Sequence, residues 1–449
     1  MIFLGTTLII VSVLLLLFMA VAGLSRRRLS SVVFFAVACY AIIMAATAGD
    51  LIRQYGDELY LQASLIYGIG SIVLLMSVLF FSELVPGRRL SIPIWNQSDF
   101  QWHTNFATAL ALASIALIMI ARENLMMNWN EARSSAGYLT VLSTMFFMLA
   151  SPGIVSAFIP KKLTLGIMLL LLCVGLFVVM GSRASLLGAL FFGMWLMLLR
   201  ARDAGSRLRI VAIAVVATFV VHFFLRTLRG LGIAGLLQAF DEGNLLTTLL
   251  AVGGDVDVSG GEAAIPKYLM FAIKVSSIHD FGFMTSIQRL LLLPIPRIEG
   301  WINKPVDVTY LLWEKGFQQG LLDGAQGQQI LLESYLTGSF GSLHPTLFGE
   351  YFLVGGWVSL VLSTVVLGAI LVAIDLFMHR ANRLTSLALC GPMLVGYMFV
   401  ARGNSVIGLG YFFYLGVIVS LLCYVANRAK KLLQLKPNQA LNQPEGGSQ

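Results

Sequence analysis

Uninterrupted apolar runs about 20 residues long recur from end to end of this chain, the length that crosses a bilayer as a helix. They are parted by short connections rich in arginine, glycine and serine. The runs are continuous rather than alternating, so they predict helices and not the strands of a barrel. About eleven spans are expected, near 2–24, 32–48, 61–84, 106–121, 138–159, 163–181, 184–199, 210–225, 347–378, 384–401 and 405–426. The two around Ser182 read as a tight helical hairpin. The chain thus divides into a first membrane part (1–225), a long loop (226–346), a second membrane part (347–430) and a polar tail (431–449) expected to be disordered.

Basic residues orient the spans. One set of connections carries Arg26, Arg27, Arg28, Arg88, Arg89, Lys161, Lys162, Arg200, Arg202, Arg207, Arg209, Arg380, Arg383 and the tail residues Arg428, Lys430, Lys431 and Lys436. The short connections on the other side carry Arg53, Arg122, Arg133, Arg183 and Arg402. The positive-inside rule makes the first set cytoplasmic, the N-terminus external, the C-terminus cytoplasmic and the long loop external. No basic stretch precedes the first run, so a retained first helix is expected rather than a cleaved signal peptide.

Composition agrees. The chain is 58% hydrophobic and 12% charged, and soluble domains carry roughly twice that charge fraction. The net charge of +8 is accounted for by the flanks of helices, so no nucleic-acid partner is expected; the bilayer is. Cys39, Cys173, Cys390 and Cys423 all lie in apolar runs and read as small buried hydrophobes.

The loop contains apolar stretches, 264–275 and 290–295, expected as short helices lying at the membrane surface. Its run Asp255-Val256-Asp257-Val258-Ser259-Gly260 resembles the start of a calcium loop, but Pro266 stands where the closing Glu belongs. A solvated turn is the plainer reading; an Asp-x-Asp holding a divalent ion is the alternative. Neither a phosphate-binding G-x-x-x-x-G-K-[ST] loop nor an H-E-x-x-H or C-x-x-C spacing occurs in the sequence. Without a nucleotide-sugar domain, a transferase of this design must draw its donor from the membrane.

The outer arginines are candidates for binding a diphosphate. Arg183 lies in Gly181-Ser182-Arg183, Arg226 and Arg229 in Arg226-Thr227-Leu228-Arg229-Gly230, and Arg402 in Ala401-Arg402-Gly403-Asn404-Ser405. All four are expected at the level of the outer headgroups. A guanidinium fork matches phosphate oxygens and keeps its charge. The alternative is that each arginine only snorkels at a helix end.

Acid–base candidates lie where the long loop returns, in Leu343-His344-Pro345-Thr346-Leu347-Phe348-Gly349-Glu350-Tyr351. Glu350 falls within an apolar run, a position that makes an ionisable residue a functional candidate. It reads as a general base or, alternatively, as an ion-pair partner of an outer arginine. His344 reads as a proton carrier or diphosphate contact, or as a plain interfacial histidine. Asp375 is expected to pair with His379 and Arg380 at its helix end. Tyr268, Trp301, Tyr310, Trp313 and Tyr335 could stack on sugars or form an interfacial belt.

The layout resembles the bacterial O-antigen polymerases (the Wzy family). The stretches that carry the likeness are His344-Pro345-Thr346 with Gly349-Glu350 and Gly355-Gly356, then Gly181-Ser182-Arg183, Arg229-Gly230 and Ala401-Arg402-Gly403. Pro305 followed by Trp313-Glu314 echoes the loop pattern, with Lys304 where the family often has Arg. The resemblance implies an all-α, GT-C-like membrane glycosyltransferase without a required cofactor or metal. It implies transfer of a growing glycan from undecaprenyl diphosphate onto a lipid-linked repeat unit, at the periplasmic face of the inner membrane. In that reading Arg183, Arg226, Arg229 and Arg402 hold the donor diphosphate, with Arg183 also stabilising charge during the reaction. Glu350 or His344 activates the acceptor, and a chain-length regulator protein is a candidate partner. The rival readings are an O-antigen ligase, and a lipid-linked sugar flippase or transporter.

Overall fold

The computed structural model describes residues 2–86, 90–121, 138–180, 183–201, 265–277 and 344–425, short runs and single positions between 203 and 315, and Arg428. Described residues form helices and turns, and no strand occurs among them. In chain order the helices are α1 (Ile2–Ser25), α2 (Ser31–Ala46), α3 (Ala48–Tyr55), α4 (Asp57–Glu83), α5 (Gln97–Ala121), α6 (Tyr138–Ala150), α7 (Gly153–Phe158), α8 (Leu163–Met180), α9 (Arg183–Arg200), α10 (Ile265–Ser276), α11 (Leu347–Arg380), α12 (Arg383–Arg402) and α13 (Ser405–Gly410). A π-helical turn, Tyr411–Leu415, carries α13 onward.

Among the described residues six helices are long and apolar enough to cross a membrane: Ile2–Ser25, Asp57–Glu83, Gln97–Ile120, Leu347–Arg380, Arg383–Arg402 and Ser405–Val425. The pair α2 and α3, bent by 67°, makes a seventh if counted as one span. Leu142–Phe158, Leu163–Phe177 and Leu186–Arg200 are shorter apolar helices. The chain is therefore an α-helical, multi-pass membrane protein; the stretch 210–225 lies largely outside the described residues. Exposed Leu14, Phe18, Met76, Phe80 and Leu171 suit a lipid-facing surface.

Two element boundaries differ from the sequence reading, each for a local reason. Helix α5 starts nine residues before the expected 106, because Asn96 and Asp99 cap it reciprocally: Asp99 N donates to Asn96 Oδ1 (3.0 Å) and Asn96 N to Asp99 Oδ2 (2.9 Å). The expected run 138–159 breaks into α6 and α7 at Ser151-Pro152, where proline cannot donate to the helix ladder. The expected stretch 264–275 forms helix α10. It lodges against α11 and α4 with Leu269, Met270 and Val275 fully buried.

Helix α11 is the element that positions the candidate site. Its 34 residues would extend about 51 Å if straight, well beyond a hydrocarbon core of about 30 Å. Non-helical torsions at Gly355 and Gly356 divide it. Gly368 packs on Ser77 of α4, whereas Phe348 packs on Tyr67 (ring centroids 5.5 Å apart, edge to face) and closes over Gly70. A straight helix would carry Phe348 about 30 Å beyond Gly368, yet Gly70 is only about 10 Å beyond Ser77. Residues 347–354 therefore turn off the axis of the rest and lie against the middle of α4, whose midpoint is Gly70.

The opposite end of the bundle is tied by polar contacts between chain-distant turns. Ile92 N donates to Arg27 O (3.0 Å), Arg28 Nη1 to Ser82 Oγ (3.0 Å) and Trp95 Nε1 to Ser386 Oγ (3.1 Å). These bonds gather Arg27, Arg28 and the Arg380–Arg383 turn at one end, as a common membrane face requires. Asp375 does not pair with its own helix end. It is 1% exposed and accepts from Ser30 N (3.1 Å) and Ser30 Oγ, capping α2, with Arg28 near enough to interact with its charge. His379 instead meets the Ser91 carbonyl (2.8 Å). Sequence spacing favoured i,i+4 neighbours; tertiary packing supplied a vacant helix N-terminus. Cys173, Cys390 and Cys423 are buried free thiols, and Cys39 is half-buried.

Candidate functional site

Two turns meet at the N-terminal end of α11. One is His344-Pro345-Thr346, which leads into α11; the other is Arg402-Gly403-Asn404-Ser405, which joins α12 to α13. Thr346 N donates to Arg402 O (3.0 Å), so the main chains are stitched together. Thr346 is a rare non-glycine residue with positive φ (71°), and its hydroxyl caps α11 by accepting from Gly349 N (3.3 Å). A Cβ on Gly349 would stand 2.7 Å from the end of the Leu269 side chain of α10, so a larger residue there obliges Leu269 to shift.

The second turn is equally defined. Gly403 ends α12 in the left-handed conformation, and Asn404 N donates to Phe399 O (2.9 Å) in the manner of a helix-stop motif. Asn404 Oδ1 then accepts from Ile407 N (3.2 Å) and starts α13. Ser405 N (2.9 Å) and Ser405 Oγ (2.8 Å) both donate to one oxygen of Glu350. A carboxylate at a helix N-terminus, with two donors on one oxygen, is a favourable charge arrangement. Tyr351 Oη lies 3.1 Å from the same Ser405 Oγ.

Glu350, His344 and Ser405 are buried, and Arg402 is half-buried. His344 is within hydrogen-bonding reach of the Gly403 backbone and feels the Arg402 charge. Burial first, and Arg402 second, push its imidazole well below the usual histidine range, while the bond to Gly403 acts in the other direction. The side chain at neutral pH is thus an uncharged imidazole. Tyr268 of α10 also feels Arg402, which brings one aromatic of the long loop to the junction.

Of the residues singled out in the sequence, Glu350, His344 and Arg402 come together here. Arg183 is the first residue of α9. Gly188 of α9 faces Gly391 and Val395 of α12, while Trp195 packs on Trp95, which bonds Ser386. The two helices are therefore antiparallel, and Arg183 starts its helix at the end where Arg402 finishes its own. Arg226, Arg229, Asp255, Asp257, Trp301, Lys304, Pro305, Tyr310, Trp313, Glu314 and Tyr335 lie outside the described residues. Thr346 was quoted only within the stretch His344-Pro345-Thr346, and Ser405 and Tyr351 were given no role, although Gly403-Asn404-Ser405 carries a readable helix-stop and helix-start signal.

The main chain of Arg402 stands level with a point well inside the length of α4. Its carbonyl is bonded to Thr346, two residues before Phe348, which sits against the middle of α4. The junction is sunk between the helix ends, because 347–354 turns inward at the Gly355-Gly356 break. Main chain at the junction bonds to protein partners, Thr346 N to Arg402 O and Asn404 N to Phe399 O, as an apolar surrounding demands. Compared with known proteins, the chain matches no family model, no curated protein and no solved structure.

Proposed function

We infer that this protein is a membrane-embedded glycosyltransferase that polymerises oligosaccharide repeat units carried on undecaprenyl diphosphate, working at the periplasmic face of a bacterial inner membrane. The observation that carries this reading is the meeting of Glu350, His344 and Arg402 on two interlocked turns, 350 and 405 standing 55 residues apart in sequence. A carboxylate, a neutral imidazole and a guanidinium at one buried junction are the groups such a transfer uses.

In the reaction an acceptor hydroxyl oxygen attacks the anomeric carbon of the donor glycan from the face opposite the phosphate. The new C–O bond forms as the sugar–phosphate bond breaks, undecaprenyl diphosphate leaves with the bonding pair, and the configuration inverts. Glu350 takes the hydroxyl proton, with His344 as the second candidate for that task. Arg402 and Arg183, together with Arg226 and Arg229 of the loop, offset the charge growing on the departing diphosphate. Closure by protein keeps water from competing with the acceptor.

The glycolipid profile of a strain deleted for this chain tests the reading. Lipid A-core bearing a single repeat unit is expected. Bare core identifies a ligase instead, and an unchanged profile contradicts both. In the complemented strain, Arg183→Glu should abolish long chains at normal protein abundance.

A further inference from the structure

Ser405 grips Glu350 from across the junction with two donors, and that grip has a chemical use. Ser405 places its backbone N–H and its hydroxyl on the same carboxylate oxygen, at 2.9 and 2.8 Å, and its Oγ lies 3.1 Å from Tyr351 Oη. Two donors converging on one oxygen from one residue fix the plane of the carboxylate as well as its position. Ser405 is itself held firmly: Asn404 caps α13, and Gly408 N donates to Asn404 O (3.0 Å). The same short turn begins at Arg402, whose carbonyl is tied to Thr346 at the head of α11.

We propose that Ser405 is a positioning residue for transfer: through its hydroxyl it sets the direction in which the Glu350 carboxylate meets the acceptor hydroxyl, and it couples that direction to Arg402 on the same turn. The proposal rests on the reading of Glu350 given above. Removing the hydroxyl leaves the backbone donor in place, so the carboxylate stays in the junction but loses one of the two Ser405 donors that aim this oxygen. Chemistry suffers and substrate capture does not, because orientation of a base matters most in the transition state.

The test uses full-length protein in nanodiscs and, as substrate, the undecaprenyl-diphosphate-linked repeat unit extracted from cells deleted for this chain. Ser405→Ala should lower kcat about 10- to 100-fold, the scale of one hydrogen bond to a charged group, with KM unchanged within about twofold. Ser405→Thr, which restores the hydroxyl, should recover most of the loss. Tyr351→Phe, which removes the contact with Ser405 Oγ but leaves both serine bonds to Glu350 intact, should fall less than Ser405→Ala; a loss as large as that of the alanine variant counts against the proposal. Wild-type kcat in Ser405→Ala, or a loss confined to KM, overturns the positioning role while an inactive Glu350→Gln leaves the base standing. Full activity in Glu350→Gln overturns the base itself. If Ser405→Ala does not fold, a Ser405→Thr variant without activity also counts against the proposal.

Discussion

Gly403 and Thr346 touch through their main chains: a Cβ on Gly403 would stand 2.5 Å from the Thr346 carbonyl oxygen, and Gly403 holds φ +95°. Both constraints forbid a side chain. We expect Gly403→Ala to cost at least about 1–3 kcal/mol from the torsion alone, with further loss from displacing Thr346. Thermal melting in detergent should show a clear drop. An unchanged melting temperature would mean that the two turns are not in contact.

Asp375 caps α2 at the far end of the bundle and faces the buried Arg28. Asp375→Ala removes the acceptor of both Ser30 donors together with the charge that Arg28 interacts with, a loss of about 2–3 kcal/mol. Ser30→Ala keeps the backbone bond and should cost about 1 kcal/mol. The order of the two melting temperatures checks the assignment; equal shifts would remove Arg28 from the account.

Gly356 and Gly175 separate torsion from packing. A Cβ meets nothing within 4 Å at either position, but Gly356 sits at φ +59° in the break of α11, whereas Gly175 is in regular helix. Gly356→Ala should destabilise by about 1–3 kcal/mol. Gly175→Ala should be neutral or stabilising by up to about 1 kcal/mol. Similar behaviour of the two variants would argue that α11 runs straight.

His344 gives stability a pH dependence of definite sign. Its folded-state value lies well below the ordinary 6.5, so below pH 6.5 the unfolded chain binds the proton first. The contribution is complete above 6.5 and is lost progressively as pH falls towards the folded value. Melting temperature measured from pH 7.5 down to 5.5 should decline, and His344→Gln should decline less steeply. Parallel curves would show that the imidazole is not held neutral.

Much of the membrane architecture was legible in the sequence because lipid imposes a length rule on apolar runs. Helices α1, α4, α8, α9, α11 and α12 fall within a few residues of their expected ranges. The polar start of α5 was hidden, since Gln97, Ser98 and Asp99 read as a connection until the Asn96–Asp99 cap is seen. The inward turn of residues 347–354 was not legible either. Gly355-Gly356 is visible as a pair of glycines, but the packing of Phe348 on Tyr67 and Gly70 is a contact between chain-distant elements. Likewise Glu350 and His344 could be picked out by residue type and place, whereas Ser405 acquires meaning only through its two bonds to Glu350.

The transfer depends on the charge of Glu350, and Glu350→Gln isolates it, because glutamine keeps the shape and can still accept from Ser405. The decisive measurement reconstitutes wild-type and variant protein in vesicles with the native lipid-linked repeat unit and resolves the products by chain length. We expect the wild type to build a ladder, and folded Glu350→Gln to slow its growth by about 10²- to 10⁴-fold. A ladder of equal rate from the glutamine variant, or a wild type that never joins two units, would contradict the account.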